Sequence, residues 1–286
     1  MLPGNQKRMK RNRAELLETE DGSSTIYLAD YDETMHSSHG AYSESLVKHI
    51  TPSGLLQKEG PLSVLDIGFG MGYNVLALLA SMAQEDPRRK LEIISLEKDN
   101  YYGELLKRIN FGDERDTWYT LVRKAFTEEE VSEGSFHIRV FFGDARDTIE
   151  DVPDHFADAV FQDPFSPAHN PELWNVEYFR KMKSVMKPDG VMTTYSGALH
   201  VRQALLDAGF IVGRGPGMGK KREGTVASPG PVVTSLSKDE IREVKENIKS
   251  TPYRDLSGSD PRDEILKRRL EEMAQLRAIR DRQAPR

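Results

Sequence analysis

From residue 63 onward, short apolar runs alternate with longer stretches in which apolar residues recur every three or four positions. The short runs are typical of buried strands, and the longer stretches are typical of helices that lie on a sheet. The predicted strands are residues 63–67, 90–99, 136–145, 157–165 and 189–196; the predicted helices are residues 73–84, a helix from 101, 171–187 and 199–209. This alternation predicts an α/β fold with a mostly parallel, doubly wound sheet.

The pattern also predicts where the domains begin and end. Residues 1–20 are polar and basic, which predicts a flexible basic tail, and residues 21–60 predict an N-terminal extension with a hairpin and a helix. The main domain covers residues 61–228 and is expected to end in an antiparallel pair at residues 210–215 and 223–228. Residues 229–286 predict a linker followed by a charged helical tail, which we expect to lie on its own domain.

Composition excludes several classes of site. The 286 residues include no cysteine, so disulfides, zinc–thiolate sites, iron–sulfur clusters and a cysteine nucleophile are excluded. The formal net charge of −6 argues against a uniformly basic nucleic-acid binder but leaves room for a local basic patch. No apolar run reaches the roughly 20 residues that cross a bilayer, so we expect no membrane association and a cytoplasmic location.

The sequence DIGFGMG joins the first strand of the main domain to its first helix, with glycines at 68, 70 and 72. Gly68, Gly70 and Gly72 let a ligand approach the carboxyl end of the strand closely. A dinucleotide-binding loop would carry its third glycine one position later, where this chain has Tyr73. Asp66, just before the loop, disfavours a pyrophosphate and suits a ligand with a cationic amino group.

Two further carboxylates follow later strands. Glu97 ends the second strand and could accept hydrogen bonds from both hydroxyls of a ribose, and Asp144 ends the third strand and could face an adenine amino group. Asn74, at the start of the helix after the glycine loop, and Ala145, beside Asp144, complete this candidate binding site. The carboxyl ends of parallel strands meet at one edge of the sheet, so these residues are expected to converge.

A rigid loop follows the fourth strand, QDPFSPAHNPELW at residues 162–174. Asp163 could hold an amine through a charge-assisted hydrogen bond, and Phe165 and Trp174 could stack on a flat substrate. From local sequence alone, a stiff turn with a core tryptophan explains the same pattern equally well.

Taken together, the loop and the three acids resemble the Rossmann-like S-adenosylmethionine methyltransferases. The second half of the chain is more specific and resembles the methyltransferase domain of the MnmC family. That likeness runs from about residue 21 to 228 and rests on the Asp163 loop, a later Thr-Tyr-Ser strand end, a Val-Arg helix start and a glycine–basic segment at residues 217–222. The loop residues that match are Asp163, Phe165, Pro167, Asn170, Pro171 and Trp174.

The resemblance implies an activity and a partner. Members transfer a methyl group from S-adenosylmethionine to the amine of 5-aminomethyl(-2-thio)uridine at the tRNA wobble position, giving 5-methylaminomethyl(-2-thio)uridine. Two-domain members fuse a flavin oxidoreductase after the methyltransferase, and we expect none here because the residues after 228 are charged and carry no dinucleotide loop. We therefore expect a monofunctional enzyme without flavin or metal that acts on a tRNA anticodon loop, with a separate oxidoreductase as a candidate upstream partner.

Further site residues follow from the resemblance. Lys220, Lys221 and Arg222 are implied phosphate contacts, with Arg202 as a weaker candidate, since single-stranded RNA loops are read by stacking and backbone contacts. Glu44 matches an acid that touches the donor's methionine end or the substrate pocket.

Alternative functions remain open on the sequence. A small-molecule amine N-methyltransferase or an aminopropyltransferase would share the donor site, and a non-catalytic RNA-binding scaffold would share the fold. A nicotinamide oxidoreductase is disfavoured by Tyr73 and Asp66. His36 and His39 have a spacing seen in metal sites but lack an evident third ligand.

Overall fold

The computed structural model describes residues 15–28, 33–35, 40–218, 223–231 and 234–283. A small antiparallel sheet contains β1 Glu15–Glu18, β2 Ser24–Leu28 and β3 Glu33–Thr34. The main sheet contains β4 Leu62–Ile67, β5 Leu91–Glu97, β6 Glu130–Glu133, β7 Phe136–Phe142, β8 Ala157–Gln162, β9 Met186–Thr194, β10 Ile211–Arg214 and β11 Thr225–Ser228. The α-helices are α1 Ala41–Ser45, α2 Thr51–Ser53, α3 Tyr73–Glu85, α4 Gly103–Leu106, α5 Arg115–Glu128, α6 Ala145–Thr148, α7 Val176–Val185, α8 Leu199–Asp207, α9 Lys238–Glu246 and α10 Arg262–Gln283.

The main sheet has the order β10-β11-β9-β8-β4-β5-β7-β6. Its five central strands, from β9 to β7, are parallel, and the outer strands pair antiparallel. This confirms the predicted fold class and the antiparallel end of the sheet. The chain winds outward from β4 through β5 to β7, then returns to place β8 on the other side of β4. The point at which the direction reverses therefore lies between the carboxyl ends of β4 and β8, where open α/β sheets bind ligands.

Helices cover both faces of the main sheet, and successive residues of each strand point to opposite faces. Val64 and Ile93 point into a core shared with α3 and α5, while Leu65 and Ile94 point into a core shared with α7 and α8. Burial on both faces explains why the strands are continuous apolar runs.

Two predicted helices differ from those observed. After β5, a short turn and α4 are followed by the separate helix α5, because the backbone nitrogens of Phe111 and Gly112 bond to the Asp116 carboxylate at 2.9 Å each and hold a turn before α5. The helix predicted for residues 171–187 corresponds to α7, which begins at Val176 and ends at Val185. The next residue, Met186, is the first residue of β9 and pairs with Ala157 of β8. Sheet pairing overrides helical spacing there.

The segment after residue 229 packs on the main domain instead of forming a bare linker. Tyr253 is buried, and its carbonyl accepts a hydrogen bond from the Val176 nitrogen at the start of α7 (3.3 Å). Asp255, which is 1% exposed, pairs with Arg146 at 2.9 Å. In the first turn of α10 Ile265 is buried, while Leu270 further along the helix is 63% exposed.

Candidate active site

A cavity of about 350 Å³ lies at the carboxyl edge of the sheet, over the ends of β4 and β8. Its walls come from the glycine loop, from the segments after β5, β7 and β8, and from α1. The sequence-predicted residues that line it are Glu44, Gly68, Gly70, Asn74, Glu97, Asp144, Ala145, Asp163 and Phe165. Nine of the site residues inferred from sequence therefore converge on one cavity.

The glycine loop is shaped by backbone angles that L side chains rarely adopt. Gly68 has φ +88°, and a Cβ there would lie 3.0 Å from the carbonyl oxygen of Asp163. This close approach is the contact between the ends of β4 and β8, so Gly68 lets the two halves of the cavity meet. Gly72 has φ +74° and packs against Val122 of α5, outside the cavity wall. Its role is to fit α3 against its neighbour.

Glu97 and Asp144 form one end of the cavity. Glu97 is 7% exposed and accepts hydrogen bonds from the backbone nitrogens of Gly70 (2.7 Å) and Asp99 (3.0 Å). Burial raises the pKa of Glu97, and these two bonds offset part of that effect. Asp144 caps α6 and pairs with Arg146 at 2.8 Å. Burial opposes ionisation of Asp144, but its hydrogen bonds from Arg146 hold its pKa below the usual value.

Asn74 joins two carboxylates beneath the glycine loop. Its amide nitrogen donates to Asp66 Oδ1 at 3.3 Å and to Asp163 Oδ2 at 3.0 Å, and Ser95 Oγ donates to Asp66 Oδ2 at 2.9 Å. Asp66 is 1% exposed and does not line the cavity, so the structure does not place it for the direct ligand contact predicted from the sequence. Asp66 instead helps to hold the side chain of Asn74, which does line the cavity.

The buried Asp66 should make stability depend on pH. Burial, with the nearby Asp163 charge, raises its pKa to about 7, against an ordinary value near 3.8. Because the folded state holds this proton more tightly, the stabilisation is present below about pH 4 and is lost as pH rises to about 7. The neutral isostere Asp66→Asn has no such loss, so its free energy of unfolding relative to wild type should increase between pH 5 and pH 8. Urea unfolding of both proteins measures this, and a difference independent of pH would contradict it.

The loop after β8 forms the other end of the cavity. Asp163 follows β8 directly, and Phe165 lines the wall beside it. The structure corrects the prediction that Trp174 stacks on a flat substrate. Its ring is fully buried, its Nε1 donates to the Phe165 carbonyl at 2.8 Å, and the ring packs edge-on against Tyr195. With no exposed face, Trp174 supports the loop from below and does not stack on a substrate in this conformation.

The predicted RNA-contacting residues divide into two groups. Arg202 is 8% exposed, pairs with Glu223 at 2.9 Å and donates to the Gly224 carbonyl at 3.1 Å. It is therefore a structural residue that joins α8 to the start of β11, which corrects its assignment as a phosphate contact. Lys220, Lys221 and Arg222 lie outside the described residues, as do His36 and His39.

Several cavity residues were missed by sequence reasoning. His49 is 2% exposed in the π-helical turn Leu46–Ile50 and faces Asp163. Tyr195 donates its hydroxyl to the Pro164 carbonyl at 2.9 Å, and Arg262, at the start of α10, reaches the Ala168 carbonyl at 3.0 Å. The only sequence signal for His49 is its position one helical turn after Ser45, another cavity residue.

The cavity fits the adenosyl donor expected from the sequence. Gly70 leaves the backbone bare next to Glu97, whose carboxylate retains lone pairs for hydroxyl groups after its two backbone bonds. Tyr102, Leu96 and Ala145 supply an apolar wall near Asp144. Asn74 Oδ1 is buried and finds no hydrogen-bond partner among the described residues, so a ligand N–H group would complete it.

No group of three or more His, Asp or Glu side chains is placed to bind a metal ion in the described part of the chain. None of the helices described is both long and apolar enough to cross a membrane.

Known proteins resemble this chain in sequence and in fold. A family model described as S-adenosyl-L-methionine-dependent methyltransferase matches residues 112–229. The crystal structure of MNMC2 from Aquifex aeolicus superposes with a TM-score of 0.81 at 35% sequence identity, covering 93% of this chain and 87% of that one.

Two curated relatives extend the comparison. An uncharacterised protein of Methanocaldococcus jannaschii is 31% identical over 270 residues, which are 92% of this chain and 73% of the relative. The tRNA 5-methylaminomethyl-2-thiouridine biosynthesis bifunctional protein MnmC of Leptospira borgpetersenii is 30% identical over 216 residues. That match covers 72% of this chain and 31% of the relative, so the chain spans about a third of the bifunctional protein.

Proposed function

Because the chain belongs to the S-adenosyl-L-methionine-dependent methyltransferase family that includes MNMC2 of Aquifex aeolicus, we propose that it methylates the primary amine of 5-aminomethyl(-2-thio)uridine at the wobble position of tRNA. The product would be 5-methylaminomethyl(-2-thio)uridine, whose 2-thio form appears in the name of the bifunctional MnmC relatives. The comparisons support a methyltransferase related to the methyltransferase domain of MnmC. The tRNA substrate is the proposed part.

One observation supports the amine as acceptor. The end of the cavity opposite Glu97 and Asp144 carries the Asp163 carboxylate, 24% exposed and fixed by Asn74. A carboxylate at that point attracts a cation and orients its N–H groups, which suits an alkylamine that is protonated near neutral pH. Phe165 beside it offers an apolar wall for the uracil ring.

The residues that line the cavity would have two roles, donor binding and positioning of the amine. Glu97, Asp144, Gly70 and Asn74 hold the donor, with Glu44 on the wall near α1. The bound donor supplies a methyl group on positively charged sulfur, so the amine lone pair forms the new C–N bond while the S–C electron pair stays on sulfur. Asp163 holds the nitrogen in line for this transfer, and such positioning can remove several kcal/mol from the barrier.

Methyl transfer tests the proposal directly. Purified protein is incubated with S-adenosylmethionine carrying a labelled methyl group and with tRNA from cells arrested at aminomethyluridine, and the nucleosides are analysed by mass spectrometry. We expect a labelled methylaminomethyluridine peak. Donor binding without transfer to tRNA would overturn the tRNA assignment and favour a small-molecule amine as acceptor. The upstream oxidoreductase and the cytoplasmic location remain predictions.

Binding of tRNA should depend on salt. If Lys220, Lys221 and Arg222 contact phosphates, changing all three to alanine should reduce the slope of log affinity against log salt concentration by about 2, since each contact to single-stranded RNA contributes about 0.7. A matched control changes three exposed lysines on other elements, Lys107, Lys245 and Lys267, to alanine. Filter binding between 50 and 300 mM salt, roughly the range in which such slopes are linear, measures both. Equal slopes for the two variants would remove the basic segment from the RNA interface.

A further inference from the structure

A buried histidine lies beside the proposed amine site in the cavity wall. His49 is 2% exposed and lies in the π-helical turn Leu46–Ile50 that continues α1. In this wider turn, Lys48 is buried as well and donates to the Pro216 carbonyl at 2.6 Å, away from the cavity. A π-turn is uncommon and is often found at functional sites, since it redirects side chains that a regular helix would place elsewhere.

The two ring nitrogens of His49 face different partners. Nδ1 lies 2.9 Å from Thr193 Oγ1 of β9, and Nε2 lies 3.6 Å from Asp163 Oδ1. The ring also packs against Phe161 of β8, with centroids 5.5 Å apart. The other oxygen of Asp163 accepts from Asn74. The Asp163 carboxylate therefore has the amide of Asn74 at one oxygen and the imidazole of His49 near the other.

This arrangement addresses a chemical requirement of the proposed reaction. An alkylammonium has no lone pair, so it must lose a proton before its nitrogen can accept a methyl group. A lone carboxylate is poorly matched in basicity to an alkylammonium. Thr193 Oγ1 donates its own hydrogen to the Val160 carbonyl at 3.4 Å, so its oxygen accepts from Nδ1–H of His49 and the Nε2 lone pair is left facing Asp163. That lone pair is a second site on which the proton can rest.

We propose that His49 is a positioning residue for methyl transfer, which orients Asp163 and shares the proton that the acceptor ammonium gives up. This inference rests on the proposed function, since it assumes an amine acceptor. The ammonium passes one proton to the Asp163–His49 pair and keeps the N–H electron pair as a lone pair. After methyl transfer the product nitrogen has four bonds and a positive charge, and the proton on the pair passes to solvent as the product leaves.

The charges around His49 are few among the described residues. Asp163 of the loop after β8 faces it directly, and Asp66 of β4 lies behind Asn74. Thr193 of β9 and Phe161 of β8 are neutral, Lys48 turns away, and Glu44 lines the cavity one turn earlier. Among these groups, Asp163 is the charged one that directly faces the imidazole.

The test compares His49→Gln with wild type. The glutamine amide keeps a donor for Asp163 but cannot carry the proton. At saturating donor and tRNA, we expect kcat to fall about 100-fold, with the KM for tRNA and the donor dissociation constant within about threefold. The deficit should shrink as pH rises from 7 to 10, because solvent then removes the proton. Thr193→Val, which removes the partner of Nδ1, should lower kcat about tenfold, in line with one lost neutral hydrogen bond.

The control is His137→Gln, a half-buried histidine of β7 that does not line the cavity, which should not change kcat. A second comparison combines His49→Gln with Asp163→Asn: if the two act as one unit, the double variant should be no slower than Asp163→Asn alone. A kcat deficit that is the same at every pH, or one matched by weaker donor binding, would assign His49 to packing only. A wild-type protein that binds donor but does not methylate tRNA would overturn the proposed function and this inference together; an active wild type with an equally active His49→Gln would overturn the inference alone.

Discussion

Replacing Asp163 by asparagine should slow methyl transfer by about 10²–10⁴-fold, the usual contribution of a group that moves or orients a proton. The asparagine oxygen can still accept from Asn74, so the loop should keep its shape. What is lost is the negative charge that attracts the ammonium and takes up its proton. Asp163→Ala should be slowed at least as much, since it also removes the bond to Asn74.

The readout separates chemistry from binding. Single-turnover methyl transfer to tRNA gives the rate, and calorimetric titration with S-adenosylmethionine gives the donor dissociation constant, which we expect within about threefold of wild type. Asp189→Asn is a matched control, because Asp189 is 74% exposed in its surface pair with Lys58 on β9. A loss of donor affinity as large as the loss of rate would place Asp163 in the donor site and remove its role at the amine.

Replacing Glu97 by glutamine should have the opposite signature, a donor dissociation constant raised about 100-fold with a smaller change in kcat at saturating donor. Hydrogen bonds to a charged acceptor are worth about 1.5–3 kcal/mol each, and a ribose offers two hydroxyls. The glutamine amide also presents N–H to one of the two backbone nitrogens that Glu97 now accepts from, at Gly70 or Asp99. The glycine loop should therefore loosen as well.

Glu92→Gln on the same strand is the control. Glu92 is 38% exposed and pairs with Arg139 at 2.7 Å, a partly exposed ion pair of small expected value. Thermal unfolding of both variants shows whether the loop change spreads to the core. Donor binding that is unchanged in Glu97→Gln would mean that the ribose is held elsewhere, and the orientation of the donor in the cavity would have to be reversed.

The donor half of the site could be predicted from sequence because its signals are local. Gly68 and Gly70 follow a buried strand within three residues, and Glu97 and Asp144 stand where apolar runs end. The parallel sheet then brings strand ends to one edge whatever lies between them in the chain. The Asp163 loop was found for the same reason, since it also begins where a strand stops.

The remaining part of the site depends on packing that a single sequence does not report. His49 approaches Asp163 across 114 positions of chain through a π-turn that apolar spacing does not reveal. Trp174 has the same residue type whether its ring faces a ligand or the core, and only its neighbours Phe165 and Tyr195 decide between the two. Arg202 reads as a basic residue at a helix start, yet Glu223 pairs with it inside the fold.

The salt bridge between Arg146 and Asp255 has a consequence for how the protein is made. Arg146 fixes Asp144 in the donor end of the cavity, and its own partner lies 109 residues further along the chain. All strands of the main sheet have been synthesised by Ser228, so a nascent chain can form its core before it can complete this corner of the site. Closing so long a loop is slow compared with local helix formation. On the ribosome, the donor should therefore be unable to bind tightly, or to stabilise the folding domain, until the last part of the chain has emerged and docked.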